Sequence, residues 1–171
     1  MLRCISKPAV FAITAVLFSP ILLHAAELPG GPLKPALEFH HFPDRLHTFV
    51  WRNWELVSLE RMAIVLRTTS EHVREIGESM GLPPYKEPSP DIQKRGYISI
   101  IRRNWHLLPY DQLLTLLGWD ADRLAFTLRE DDFLWNKLGS LKPVCQPLLF
   151  SFLNIATSQM RRRLCSIQQI G

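Results

Sequence analysis

Apolar residues recur at helical spacing in two separate stretches. Leu46, Phe49, Val50 and Trp54 fall at i, i+3, i+4 and i+8, and Tyr97, Ile100, Ile101 and Trp105 repeat that spacing. Each set lies along one face of a helix. Both stretches end in the same polar-aromatic block, Arg52-Asn53-Trp54-Glu55-Leu56 in the first and Arg103-Asn104-Trp105-His106-Leu107 in the second. The register then continues without a gap: Glu60 stands opposite Asp111, Met62 opposite Leu113, Leu66 opposite Leu117 and Val73 opposite Leu124. A chance likeness of two amphipathic segments is the alternative, but an ungapped match that keeps Arg-Asn-Trp favours an internal duplication.

Helix signals divide each copy into three. In the first, Asp44 caps a helix from about Arg45 to Trp54, and Ser58 caps a second that buries Leu59, Met62, Ala63 and Leu66. After the turn Arg67-Thr68-Thr69, a third helix carries Val73, Ile76 and Met80 on one face and stops at Gly81. The second copy is expected to have helices from about Tyr97 to Trp105, from Pro109 to Leu117, and from Ala121 to Leu138 behind an Asp120 cap. That last helix offers Leu124, Leu128, Phe133, Leu134 and Leu138 for burial, with Gly139 as its stop. The expected fold is all-α: two tandem three-helix units with helix-turn-helix-like helix pairs, after an N-terminal signal peptide. The units span 44–82 and 97–141, joined by a proline-rich linker at 83–96 and preceded by a turn-rich linker at 27–43.

The N-terminus alters the reading of charge. Residues 1–26 carry Arg3 and Lys7 and no acid, then an apolar run from Ala9 to Leu23, then Ala25 and Ala26. That is the pattern of a secretory signal peptide. The run is shorter than a membrane span needs and contains Pro20, so no permanent span is expected. Of 171 residues, 20 are Lys or Arg and 16 are Asp or Glu. Loss of the segment removes two of the bases and leaves a chain too nearly neutral to argue for nucleic acid or an anionic membrane. It also removes Cys4 and leaves Cys145 and Cys165, which either pair in an oxidising compartment or stay as buried thiols.

Candidate chemistry is sparse. His40, His41 and His47 cluster around Asp44, but without metal-ligand spacing or a partner cysteine, so a solvated or packed cluster is expected and no metal or cofactor is assigned. Glu130, Asp131 and Asp132 are consecutive, and helical positions about 100° apart cannot all converge on one substrate. The second and third helices of each copy resemble a helix-turn-helix pair. The first copy has the small residue, Ala63, but Arg67 at the turn; the second has Gly118 at the turn but Leu114 in place of the small residue. The third helices mix acids with bases where DNA would require bases: Glu71, His72, Arg74, Glu75 and Glu78 in one, Asp122, Arg123, Arg129, Glu130, Asp131 and Asp132 in the other, and the acids would repel a phosphate backbone. Among the tryptophans, Trp54 and Trp105 fall on the apolar faces and are assigned to the core. Trp51 and Trp119 are less constrained by the period and are the two candidates for a binding surface such as a glycan platform.

The stretches Arg102-Arg103-Asn104-Trp105-His106-Leu107-Leu108-Pro109-Tyr110 and Ala125-Phe126-Thr127-Leu128-Arg129-Glu130-Asp131-Asp132-Phe133-Leu134 resemble the N-terminal helical region of large secreted bacterial proteins that continue into a glycoside-hydrolase-like barrel. The resemblance covers about Phe39 to Pro147 and brings no catalytic residues. It implies that any such chemistry lies beyond Gly171. The tail at 142–171 neither extends the repeat nor closes it, and reads either as a final helix docking on the core or, in preference, as a truncated or frame-shifted sequence. The expected function is therefore a non-catalytic helical scaffold or binding module of a secreted, glycan-acting system, with a glycan or the rest of a larger polypeptide as partner. A tandem helix-turn-helix DNA-binding protein whose leader is a mis-assigned start is the alternative.

Overall fold

The computed structural model describes residues 27–151. The signal-peptide segment, Cys4 and Cys165 lie outside the described residues. Within them the chain is all-helical: α1 Arg45–Asn53, α2 Leu59–Leu66, α3 Ser70–Ser79, α4 Pro90–Arg95, α5 Tyr97–Asn104, α6 Tyr110–Leu117, α7 Ala121–Glu130 and α8 Leu134–Lys137. None of these helices is long and apolar enough to cross a membrane.

Local chemistry accounts for most helix ends. The side chains of Asp44, Ser58, Thr69 and Asp120 each accept a hydrogen bond from the backbone N–H three residues on, satisfying a donor that the first helical turn leaves unpaired. At the other end, α2 and α6 finish in the same way. Arg67 and Gly118 both adopt left-handed backbone, with φ 56° and 66°, and the next residue's N–H returns to the carbonyls of Ala63 and Leu114 respectively. Glycine adopts this conformation freely, whereas an arginine is strained by about 1 kcal/mol. The turn geometry is thus kept in both units although only one has the residue that favours it.

The two units meet through α1 against α5 and α2 against α6. The Arg-Asn block lies at that junction and is matched residue for residue at a separation of 51. Asn53 Nδ2 donates to Asn104 Oδ1 at 3.0 Å, and Asn104 Nδ2 donates back to Asn53 Oδ1 at 2.8 Å. Each amide also donates to the carbonyl four residues earlier, Phe49 or Ile100, so these fully buried groups have partners on both sides. Around this pair, Arg52 donates to the Arg103 carbonyl at 2.6 Å and Arg103 to the Arg52 carbonyl at 2.8 Å. Burial, and then the neighbouring Arg103 charge, hold the Arg52 guanidinium below its ordinary pKa. Trp54 and Trp105 are both buried, and each indole N–H donates to a backbone carbonyl, of Pro83 and Leu141. Trp54 lies so close to α3 that a Cβ at Gly77 would come within 2.2 Å of its ring.

Three expectations need correction. The stretch at 83–96 is not only a linker, because Ser89 caps α4 and Pro90 occupies its first turn. The long third helix of the second unit is broken after Glu130. Asp132 and Phe133 take φ 50° and 52°, and α8 restarts at Leu134. Phe133, expected inside, is therefore 76% exposed, while Leu134 is buried. The turn-rich stretch at 27–43 is tied down: Gly30 and Lys34 accept from the N–H groups of Lys142 and Val144, and Pro29 accepts from the Tyr110 hydroxyl.

Candidate functional site

The contact of α2 with α6 creates two related places, one on each side of the junction, and their lining residues correspond at the same separation of 51. The first is formed by Gln112, Val65, Leu66 and His72, and residues 148–150 dock in it, leaving beside Pro147 and Leu149 a cleft of about 290 Å³ that Gln112 and Val65 also line. Gln112 Nε2 donates to the carbonyls of Val65 at 3.0 Å and Leu148 at 2.7 Å, while its Oε1 accepts from Leu148 N–H at 2.7 Å. Two residues on, Phe150 N–H donates to the Leu66 carbonyl at 2.9 Å, and its ring stacks on His72 with centroids 4.7 Å apart. Leu148 is buried by this docking. The segment reads as a short non-helical peptide held by backbone hydrogen bonds and one apolar side chain, a recurring mode of peptide recognition.

The second place is open. The residues in register with those four are Arg61, Leu116, Leu117 and Arg123, and all four line a cleft of about 330 Å³. Its walls come from several elements: Leu56 to Ser58 before α2, Gln93 and Lys94 of α4, Tyr97 and Ile100 of α5, and Gly118 with Trp119 after α6. Arg61 lies over Gly118, where a Cβ would meet its guanidinium at 2.0 Å, and it donates to the Thr115 carbonyl at 3.4 Å. The Arg123 guanidinium stacks over Trp119, 4.0 Å from its centroid, and Tyr97 lies against the same indole at 5.3 Å. The Tyr97 hydroxyl donates to Asp131 at 3.0 Å; that bond, then burial, then the Asp131 charge raise its pKa, so the phenol stays neutral. Three cations, Arg61, Lys94 and Arg123, face the cleft, and none of its lining residues is a carboxylate.

The sequence-derived candidates separate. Trp119 is a wall of the open cleft, but Arg123 and Tyr97 take up its ring. Trp51 is 51% exposed on a different cleft of about 250 Å³, beside Trp54, Leu82, Pro83 and Arg103, with Phe42 against it at 5.4 Å. The structure does not bring the two tryptophans to one platform. His47 is buried and its Nδ1 lies 2.8 Å from Asp44 Oδ1, whereas His40 and His41 are exposed. Burial pushes the Asp44 carboxyl up, but the hydrogen bonds from His47 and its charge outweigh that and hold it below the ordinary value. No group of three metal-ligating side chains is found among the described residues. The acids at 130–132 diverge: Asp131 serves Tyr97, Asp132 pairs with Lys137 at 2.6 Å, and Glu130 is exposed.

Cys145 is half-buried beside Lys142, with Sγ 3.5 Å from Nζ. Lys142 is buried without a carboxylate partner and donates to the carbonyls of Trp105 and Leu108 at 2.9 and 2.8 Å, below the Trp105 ring. Burial lowers its pKa. Because it satisfies the carbonyls that end α5 and lines none of these clefts, its role is to fasten residues 141–146 to the second unit.

No family model, curated protein or solved structure matches this chain. Sequence reasoning missed Arg61, Lys94, Tyr97 and Arg123. The signal was present in the internal register, where Arg61 stands opposite Gln112 and Arg123 opposite His72, arginines facing a glutamine and a histidine.

Proposed function

We propose that this chain is a non-catalytic helical binding module, built by duplication of a three-helix unit and exported behind its apolar N-terminal segment, with the cleft at Arg61, Trp119 and Arg123 as its ligand site. The observation that carries this reading is the combination of three cations and two aromatic rings around an open cleft on a doubly braced scaffold. The cleft offers binding groups but no assembled chemistry. Its one serine, Ser58, uses its hydroxyl to cap α2, its tyrosine is tied to Asp131, and it has no histidine, cysteine or carboxylate to pair with either. A secreted glycan-acting system remains the setting that the family resemblance implies, and Trp51, half-exposed on its own cleft, is the better of the two tryptophans for a sugar ring.

The helix-turn-helix alternative is weakened by the faces it would use. The exposed positions of α3 are Glu71, Arg74, Glu75, Glu78 and Ser79, and those of α7 include Asp122, Arg123, Arg129 and Glu130, so neither presents a predominantly basic face to phosphates. Fractionation of the source cells together with duplex-DNA titration tests the reading. The expected result is an envelope protein lacking its N-terminal segment and showing no duplex binding at physiological salt. Cytoplasmic retention with tight, salt-dependent DNA binding contradicts it.

A further inference from the structure

The open cleft is the counterpart of a site that this chain fills with its own peptide, and that correspondence identifies the kind of ligand it takes. We infer that the Arg61–Trp119–Arg123 cleft binds a short, non-helical, acidic peptide segment of a partner protein, anchored by an apolar residue in the position that Leu148 occupies in the filled site. The inference rests on the binding-module reading and specifies its ligand.

Shape and hydrogen bonding come from the filled site. There Leu148 is held through both its N–H and its carbonyl by one side chain, Gln112, and Phe150 N–H by the last carbonyl of α2, that of Leu66. In the open cleft the apolar floor persists as Leu116, Leu117, Val57 and Ile100, and the carbonyl end of α6 takes the place of that of α2. What changes is the charge. Gln112 both donates and accepts, whereas Arg61, in register with it, only donates and so calls for carbonyl or carboxylate oxygen. His72, which stacks on Phe150, is replaced by Arg123, whose guanidinium already has the Trp119 ring against one face and offers its N–H edge to a carboxylate. Lys94 extends the cationic side. Arg123 is already oriented by Trp119, which lowers the cost of ordering it around a ligand.

The acidic side chains that the cleft calls for are not found in the chain's own C-terminal sequence. Positions 152–171 contain Arg161, Arg162 and Arg163 and no acidic side chain. Asp131, bonded to Tyr97 at the edge of the cleft, leaves the excess of positive charge in place.

The test is titration of the whole mature chain with acetyl-Gln-Pro-Leu-Glu-Glu-Glu-amide, followed by Trp119 emission and by amide chemical shifts. Parallel titrations use the peptide with three lysines in place of the glutamates and an oligomer of hexuronic acid. The acidic peptide is expected to bind with shifts centred on Tyr97, Leu117 and Trp119, and the lysine peptide is not. Arg61→Gln with Arg123→Gln should weaken binding by about tenfold or more, the loss that one charge-assisted contact carries. Both arginines are exposed, so an unchanged unfolding midpoint will show that the variant keeps its fold. Binding of the uronic acid alone, lost in the same variant, overturns the peptide inference and leaves the binding-module reading standing. Equal binding of the acidic and lysine peptides also overturns it. Binding of none of the three overturns both.

Discussion

The two sides of the α2–α6 junction have the same backbone plan and opposite fates. On one side Gln112 and His72 hold Leu148 and Phe150, and the chain closes over its own scaffold. On the other, Arg61 and Arg123 stand in the corresponding positions and leave a cleft. Three differences at matched positions accompany this contrast: Gln112 against Arg61 at the reading position, His72 against Arg123 at the stacking position, and Thr68 against Trp119 beside it. Even the local pairing is parallel, since the Thr68 hydroxyl contacts His72 at 2.8 Å where the Trp119 ring contacts Arg123. Matched positions on the two sides of one junction can thus hold a docked segment on one and a cationic cleft on the other.

The largest expected effect concerns the link that keeps the two sides in register. Asn104→Leu leaves Asn53 Oδ1 without its donor and one of the two Nδ2 hydrogens without its acceptor, the other still bound to the Phe49 carbonyl, and should destabilise the chain by about 2 kcal/mol in denaturant unfolding. The double variant Asn53→Leu with Asn104→Leu has no orphaned amide and should be the more stable of the two, a sign reversal that a double-mutant cycle will detect. Additive losses would show that the amides do not act as a pair.

Next comes the contrast between the two sites. Gln112→Ala releases Leu148 from both of its hydrogen bonds and should cost about 2 kcal/mol, while Arg61→Ala, at the matching but exposed position, should stay within about 0.5 kcal/mol. Equal costs would erase the distinction between a filled and an open side.

The two helix ends provide a smaller contrast of opposite sign. Arg67→Gly should raise stability by about 1 kcal/mol, because the left-handed cap strains an arginine, and Gly118→Ala should lower it by a similar amount or more, since the added methyl also meets Arg61. Thermal unfolding of the two variants separates these signs.

The smallest effect is expected at the helix starts, where Asp44 caps α1 but Gly96 offers α5 no side chain. The Asp44 pKa is lower in the folded chain than in the unfolded one, so its contribution is present above about pH 4, the unfolded carboxyl value, and is lost as pH falls through the folded value. Asp44→Asn should therefore flatten the acid limb of a stability-versus-pH curve. An unchanged limb would show that the carboxylate is not linked to folding.

Much of the helical framework was legible because it rests on local chemistry. Periodic apolar faces and the caps at Asp44, Ser58 and Asp120 need no knowledge of the rest of the chain. Helix α4 carried its own signal, serine followed by proline, which the surrounding proline-rich stretch concealed. The break at 131–133 was not legible, because what ends α7 is tertiary: Asp131 turns to Tyr97, and of the two neighbours expected inside Leu134 is buried while Phe133 is exposed. The cleft is less legible still. Its residues come from α2, α4, α5, α7 and the turn after α6, and no single window of sequence contains them. Only a comparison of the two copies position by position marks Arg61 and Arg123 as places where one side departs from the other.

That comparison can be put to a direct trial. Arg61→Gln, Trp119→Thr and Arg123→His together give the open side the three residues of the filled one, and calorimetric titration with acetyl-Gln-Pro-Leu-Leu-Phe-Ser-amide, the sequence of residues 146–151, will read the outcome. If the two sides are equivalent sites that differ by those residues, the triple variant binds this neutral peptide and the unaltered chain binds it at least tenfold more weakly. If the triple variant, still folded, binds it no better than the unaltered chain, the open cleft is not the counterpart of the filled site.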